Sequence, residues 1–368
     1  MKRASLIFVL ALAGLTTTHA AEHAKNVILF LTDGNGPSTW NAASLYGYGR
    51  PQALFVQTMP HLGMSDTSSA NNWVTDSAAG MTAIVTGEKT DNAVISLVSP
   101  STGGARAGQP LKTLLEYAEE RGLSTGVLSN SPMWDATPAA CYAHSTHRRN
   151  HGDISAQILR PRFGDGVDLV VGPGREEIIG ETAKMGMDFP KTAADQGYLL
   201  LDNLAALAAV PAKAARVLDL WETESFDLQT AVDGALAILS RNPKGFFLMI
   251  ESDCHGKDAK HDLDRAVAVD RVIRSVTERY RKNTLVLVTS DHSYDLRLWP
   301  GARTKDILPF VHIEKDGDHT AEEVYAFADG PGSEQVHGFF PNTHLFDIMM
   351  DAFGWKSDSA RGSGRNAR

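Results

Sequence analysis

The chain reads as an α/β fold in a single domain, a mostly parallel central sheet with helices on both faces. Three observations lead there. Short apolar runs recur along the chain and end in polar turns, and amphipathic helical patterns lie between them. No Pro/Ser linker and no internal repeat divides the 368 residues. The runs are apolar throughout rather than alternating, as in strands buried on both faces of a parallel sheet.

Composition narrows the class. With 43% hydrophobic and 21% charged residues the chain can bury a large core, which a disordered chain cannot. Two cysteines exclude a disulfide-stapled scaffold, and 32 Gly with 16 Pro show no triplet period. A formal charge of -9 argues against nucleic acid as a specific partner, although a local anion site stays open.

Taken in order, Lys2 and Arg3 precede an apolar run from Leu6 to Leu15, and Thr18-His19-Ala20 offers a small-residue cleavage site. Residues 1–20 therefore read as a cleavable export signal, which predicts a periplasmic or secreted protein. The run is too short to span a bilayer, and no cysteine follows it for lipid attachment, so no membrane anchor is expected.

The domain is expected over 21–355. Asn26 to Thr32 is the first strand, ending in Asp33-Gly34-Asn35-Gly36. Ser124 to Ser129, Val167 to Val171, Gly245 to Ile250 and Thr284 to Thr289 repeat the pattern. Helices are predicted over Pro110 to Arg121, with Leu111, Leu114, Leu115 and Ala118 on one face, and over Leu228 to Leu239 and Leu263 to Tyr280. The stretch 174–225, rich in Ala, Glu and Lys, reads as peripheral decoration, and 356–368 as a flexible basic tail.

Polar residues gather where the strands end. Asp33 follows the first strand, and Asp135 and Thr137 lie past the strand ending near Ser129. Glu251, Asp253 and His255 follow Ile250, and Asp291 and His292 follow Thr289. One such residue is usually a cap or a turn former. Four strands ending this way point to divalent metal sites at the carboxyl edge, where ligands of open α/β sheets collect. Asp76-Ser77 before small residues reads first as an ordinary helix N-cap, with a nucleophile at the positive end of a helix as the alternative.

Together these segments resemble the alkaline phosphatase family, in the family's order. The resemblance rests on Phe30-Leu-Thr-Asp33-Gly, Val74-Thr-Asp-Ser77-Ala-Ala with Thr86-Gly-Glu-Lys-Thr90-Asp-Asn92, and Asp135-Ala-Thr137-Pro-Ala. Phe246 to Glu251, Thr289-Ser-Asp291-His292 and the segment His319 to Gly332 continue it. It runs from about Asn26 to Gly354 and is weak between 174 and 235.

The resemblance implies an alkaline-phosphatase-like sandwich and a phosphomonoesterase acting on small phosphate monoesters, as a monomer or homodimer. Ser77 would be the nucleophile, transiently phosphorylated, and Arg148, four residues after His144, would grip the phosphoryl oxygens. Two zinc-type ions are implied: one on Asp33, Asp291 and His292, the other on Asp253, His255 and His319. A magnesium is implied on Asp33, Thr137 and Glu251. Asp135 would lie beside it, a carboxylate where other members carry histidine, which favours magnesium.

The chain also departs from the family. Glu251-Ser-Asp253-Cys-His255 compresses a cluster that the family spreads over more residues. Counting back from Val269-Asp270 selects His255 and Asp253, yet two other assignments stay open. Glu251 could itself serve the leaving-group metal, leaving no third ion, or Asp258 and His261 could take the roles. After His292 the family's Glu-Thr-Gly-Gly is replaced by Ser293-Tyr-Asp-Leu-Arg297, so Asp295, Arg297 or Trp299 could reach substrate.

Cys141 and Cys254 read as two buried thiols, with a disulfide or a zinc-bound Cys254 as alternatives. His337 reads as structural. Trp73 is placed either in the core or against the leaving group. Other functions remain: a diesterase, phosphonatase or sulfatase of the same superfamily, or a relative that binds phosphate or metal without turnover. The sulfatase pattern Cys/Ser-x-Pro-x-Arg is missing from Ser77-Ala-Ala-Gly-Met.

Overall fold

The computed structural model describes residues 23–223, 226–256, 258–301 and 311–356. The export signal and the tail beyond Lys356 lie outside them. Its strands are β1 (Asn26–Leu31), β2 (His61–Ser65), β3 (Ser124–Leu128), β4 (Leu169–Pro173), β5 (Tyr198–Leu201) and β6 (Arg216–Trp221). They continue with β7 (Phe246–Glu251), β8 (Thr284–Thr289), β9 (Ser293–Pro300), β10 (Val311–Thr320), β11 (Val324–Asp329) and β12 (Gly338–Phe340). The helices are α1 (Pro37–Tyr48), α2 (Ser77–Thr86), α3 (Leu114–Glu120), α4 (Ala136–Tyr142), α5 (His151–Gln157) and α6 (Arg175–Lys184). After them come α7 (Phe189–Asp195), α8 (Leu204–Leu207), α9 (Leu228–Leu239), α10 (Ala259–Tyr280) and α11 (His344–Ala352).

Ten strands form one sheet in the order β12-β2-β11-β8-β1-β7-β3-β4-β6-β5. From β8 to β5 every neighbouring pair is parallel. Only β11 runs against its neighbours, β8 and β2. The apolar runs occupy the middle, where both faces are covered. Val27, Leu29 and Leu31 face a core shared with α2, α3, α4 and α11, while Ile28 and Phe30 face α1, α9 and α10. Each fully buried Leu, Ile or Phe contributes roughly 1.5–3 kcal/mol relative to exposure.

Two helix boundaries shift from expectation, both because of capping. In α3 the helix begins only at Leu114, because Thr113 and Glu116 form a reciprocal capping box, while Pro110 bridges to Leu97. Earlier than expected, α10 starts at Ala259, since the Asp258 carboxylate accepts from the His261 backbone N–H. The stretch 174–225 lies at the edge of the sheet. It supplies β6, which pairs in register with β4, and β5, which pairs with β6 as the edge strand. Outside the large sheet, β9 and β10 pair antiparallel as a two-stranded ribbon.

Candidate active site

The carboxyl ends of β1, β7 and β8, adjacent at the centre of the sheet, converge. After β1 the Thr32 N–H donates to Thr289 O (2.9 Å), and Asp33 follows, buried at the turn. Gly34 adopts φ +79°, and a Cβ there would stand 2.5 Å from His255 Cδ2; glycine lets the chain turn and the imidazole pack against it. Gly80 does the same for helix α2: a Cβ would meet Asp291 O at 2.8 Å. The helix that begins at Ser77 can therefore close onto the Asp291 loop.

Asp33 is the hub. Its Oδ1 lies 2.9 Å from His255 Nε2 and 3.2 Å from His292 Nε2. Its Oδ2 accepts from Ser77 Oγ (3.4 Å) and from Thr137 Oγ1 (3.5 Å). Ser77 Oγ is also 3.2 Å from His292 Nε2. The His292 and His319 rings stack, with centroids 3.6 Å apart.

Two groups with metal-ligand spacing stand out among the described residues: Asp33, Asp291 and His292, and His255, His292 and His319. The first set is the one implied by the resemblance. In the second His292 joins His255 and His319, while Asp253 Oδ1 stands 3.8 Å from His255 Nε2 and its other oxygen 3.7 Å from Arg265. Glu251 is buried and accepts from Ser129 Oγ.

Arg148 is held between two helix caps. One guanidinium nitrogen meets the Asp76 carboxylate (3.2 Å) and the other that of Asp135 (2.8 Å). Asp76 caps α2, accepting from Ala79 N–H, and Asp135 caps α4, which carries Thr137. The arginine thus faces the starts of the helices bearing Ser77 and Thr137.

Other candidates fall elsewhere. Asp258 caps α10, and His261 Nδ1 lies 3.6 Å from Asp262. Asp295 and Arg297 pair with each other through two contacts, and Trp299 donates to Glu314. Trp73 is 83% exposed, which removes the core alternative. His337 is exposed, and Cys141 and Cys254 are free and buried. Sequence reasoning missed the partners Ser129, Asn130, Arg265 and Tyr294; Asn130 accepts from Asp253 N–H and Arg265 donates to Asp253 O. No local pattern marks these contacts, since the residues they join are far apart in the chain.

The electrostatics test whether metal ions fit. Burial opposes ionisation of Asp33, but the imidazoles of His255 and His292 outweigh it and hold its carboxyl well below the usual range. Burial, then the Asp33 charge, pushes Asp291 and Glu251 far up, and Asp253 up as well. Burial works against the charge of His255, yet Asp33 raises it to about 9. Burial lowers His292 and His319. Asp291 Oδ2 and His255 Nδ1 are buried without hydrogen-bond partners. Carboxylates this close cannot all ionise in a dry site unless cations join them, so the donor set fits divalent metals.

Known proteins are similar to this chain in sequence and in fold. Residues 24–305 match the family model described as Alkaline phosphatase. Alkaline phosphatase of Escherichia coli K12 is 27% identical over 431 residues, covering 94% of this chain and 89% of the relative. Streptomycin-6-phosphate phosphatase of Streptomyces griseus is 28% identical over 437 residues, covering 95% and 96%. Alkaline phosphatase from the Antarctic bacterium TAB5 superposes with a TM-score of 0.77 at 25% identity, over 92% of this chain and 100% of its own. A variant of that enzyme is described with Mg bound in its M3 site. This chain belongs to the alkaline phosphatase family and is a phosphatase.

Proposed function

We propose that the protein hydrolyses phosphate monoesters through a phosphorylated Ser77. The observation that carries this reading is the placement of Ser77 Oγ at the start of α2, 3.2 Å from His292 Nε2 and 3.4 Å from Asp33 Oδ2, beside the Arg148 held by the caps of α2 and α4. Deprotonated Ser77 Oγ forms a bond to phosphorus as the bond to the alcohol oxygen breaks, and the alcohol takes up a proton. Water then displaces the serine oxygen, freeing Ser77 and inorganic phosphate. Arg148 presents a fork to two phosphoryl oxygens, with Asp76 and Asp135 fixing its plane. Thr137 donates to the same Asp33 oxygen as Ser77, and Glu251, at the end of the neighbouring strand β7, accepts from Ser129. Divalent ions would acidify the serine hydroxyl and shield the charge growing on the leaving oxygen: two zinc-type ions, on Asp33, Asp291 and His292 and on Asp253, His255 and His319, with magnesium on Asp33, Thr137 and Glu251.

Export to the periplasm or the medium belongs to the same reading and is supported by Lys2, Arg3 and the apolar run after them. Among the described residues no helix is long and apolar enough to cross a membrane. The test is direct. Purified protein given zinc and magnesium should release phosphate from an aryl phosphate at alkaline pH, and a chelator should stop it. Full metal-dependent activity in Ser77→Ala overturns the serine route, and faster cleavage of diesters overturns the substrate class.

A further inference from the structure

The three imidazoles of the site are held in different ways. His292 Nδ1 lies 3.2 Å from Ser293 O, and His319 Nδ1 lies 2.9 Å from Thr75 O. A backbone carbonyl at one ring nitrogen fixes the ring plane and leaves the other nitrogen as a ligand atom, the usual arrangement behind a metal-binding histidine. His255 has no such support. Its Nε2 meets Asp33, while its Nδ1 is buried with no partner.

What holds the His255 ring is an aromatic face. Tyr294, in β9, stacks on it with centroids 4.5 Å apart and planes 11° from parallel. Tyr294 is paired across the ribbon with His319, and those two rings lie 5.8 Å apart. Lys315 Nζ stands 5.0 Å from the Tyr294 ring centre and is paired with Asp262, both side chains nearly buried. The register of the ribbon shifts between Lys315 and His319, which brings both residues of β10 to the same tyrosine. The column Asp262, Lys315, Tyr294, His255 thus ties α10 and the ribbon to the loop after β7.

We propose that Tyr294 is a positioning residue for the ion at His255, its ring doing for this imidazole what a carbonyl does for the other two. The proposal rests on the reading of His255 as a ligand. It explains why the ribbon stands where the family's Glu-Thr-Gly-Gly loop is missing: with the loop after Glu251 compressed, the imidazole takes its lateral support from β9. Stacking needs the ring and not the hydroxyl, so Tyr294→Phe should behave as the parent and Tyr294→Leu should not.

The experiment is a zinc titration of the metal-free full chain by calorimetry, with thermal melting in the presence and absence of zinc, for the parent, Tyr294→Phe, Tyr294→Leu and His255→Ala. Support is a weakening of one zinc class by about ten-fold in Tyr294→Leu, with Tyr294→Phe near the parent. Unchanged affinity in Tyr294→Leu overturns the proposal. So does equal loss in both tyrosine variants, or a fall in melting temperature that is the same with and without zinc, because each removes the ring from the metal's support. If His255→Ala binds zinc as the parent does, the ligand reading itself has failed. If His255→Ala loses the class and Tyr294→Leu keeps it, the stack alone has failed.

Discussion

Both ends of the central sheet bury acids, and they treat them in opposite ways. At the carboxyl end Asp33 and Asp291 lie among the imidazoles of His255, His292 and His319, and Asp76 and Asp135 hold a guanidinium. At the amino end Glu119, from α3, lines a cavity of about 360 Å³ with Asp165, Asp168 and Ser124, the first residue of β3. Burial, then the neighbouring Glu116, raises Glu119 to about 8, and burial raises Asp168 to about 6. Among the described residues no histidine lines that cavity; Arg216 pairs with Asp165 and Asp168, but Glu119 accepts only from Gly166 N–H and Thr125 Oγ1, and Arg241 donates to backbone carbonyls. A displaced carboxyl is therefore not the mark of this active site. The mark is the convergence of opposite partners around it.

The largest effect that bears on this contrast comes from Arg148. Arg148→Ala should lower kcat/KM by about 10²–10³, and Arg148→Lys should recover little, since an ammonium cannot span two oxygens. Steady-state kinetics on an aryl phosphate read this out, and parent-like values in Arg148→Ala would remove the guanidinium from the convergence. Metal comes next. Zinc at a hundred times its dissociation constant should stabilise the metal-free protein by about 2.7 kcal/mol per site, seen as a raised melting temperature. Replacing Asp291 with Asn should abolish part of that gain while Glu119→Gln leaves all of it.

The smallest effect tests the amino end. Because burial favours the protonated form of Glu119, its contribution to stability is complete below the ordinary value of 4.5 and is lost as pH rises through about 8. Glu119→Gln should therefore be more stable than the parent at pH 9, with no gain at pH 4 and unchanged kcat/KM. Denaturant melts at the two pH values check it. A change in kcat/KM would mean that the two ends are coupled.

The sequence made the carboxyl end easier to read than its supports. Asp33, Ser77, Thr137, Asp291 and His292 each sit within a few residues of a strand end or helix start, so local pattern and the order of motifs placed them. Arg148 was legible only through its spacing from His144 in the family resemblance, and its partner Asp76 lies 72 residues away, joined to it only by the fold. Tyr294 gave no signal, because its contact with His255 crosses from the ribbon to a loop on another strand. β5 and β6 were hidden too: β5 has only four residues, and β6 carries a buried Asp219 and follows an Ala- and Lys-rich stretch that masks its apolar run.

The two thiols have a consequence of their own. Cys141, on α4, packs in the core on one face of the sheet and Cys254 in the core on the opposite face, and burial pushes both well above the ordinary thiol range. With the sheet between them they cannot oxidise to one another in the native state. The fold is thus indifferent to the redox poise of its surroundings, and a thiol-labelling reagent reaches either sulfur only when its face opens. Two labelling rates, read separately by mass, would time the loosening of each face independently.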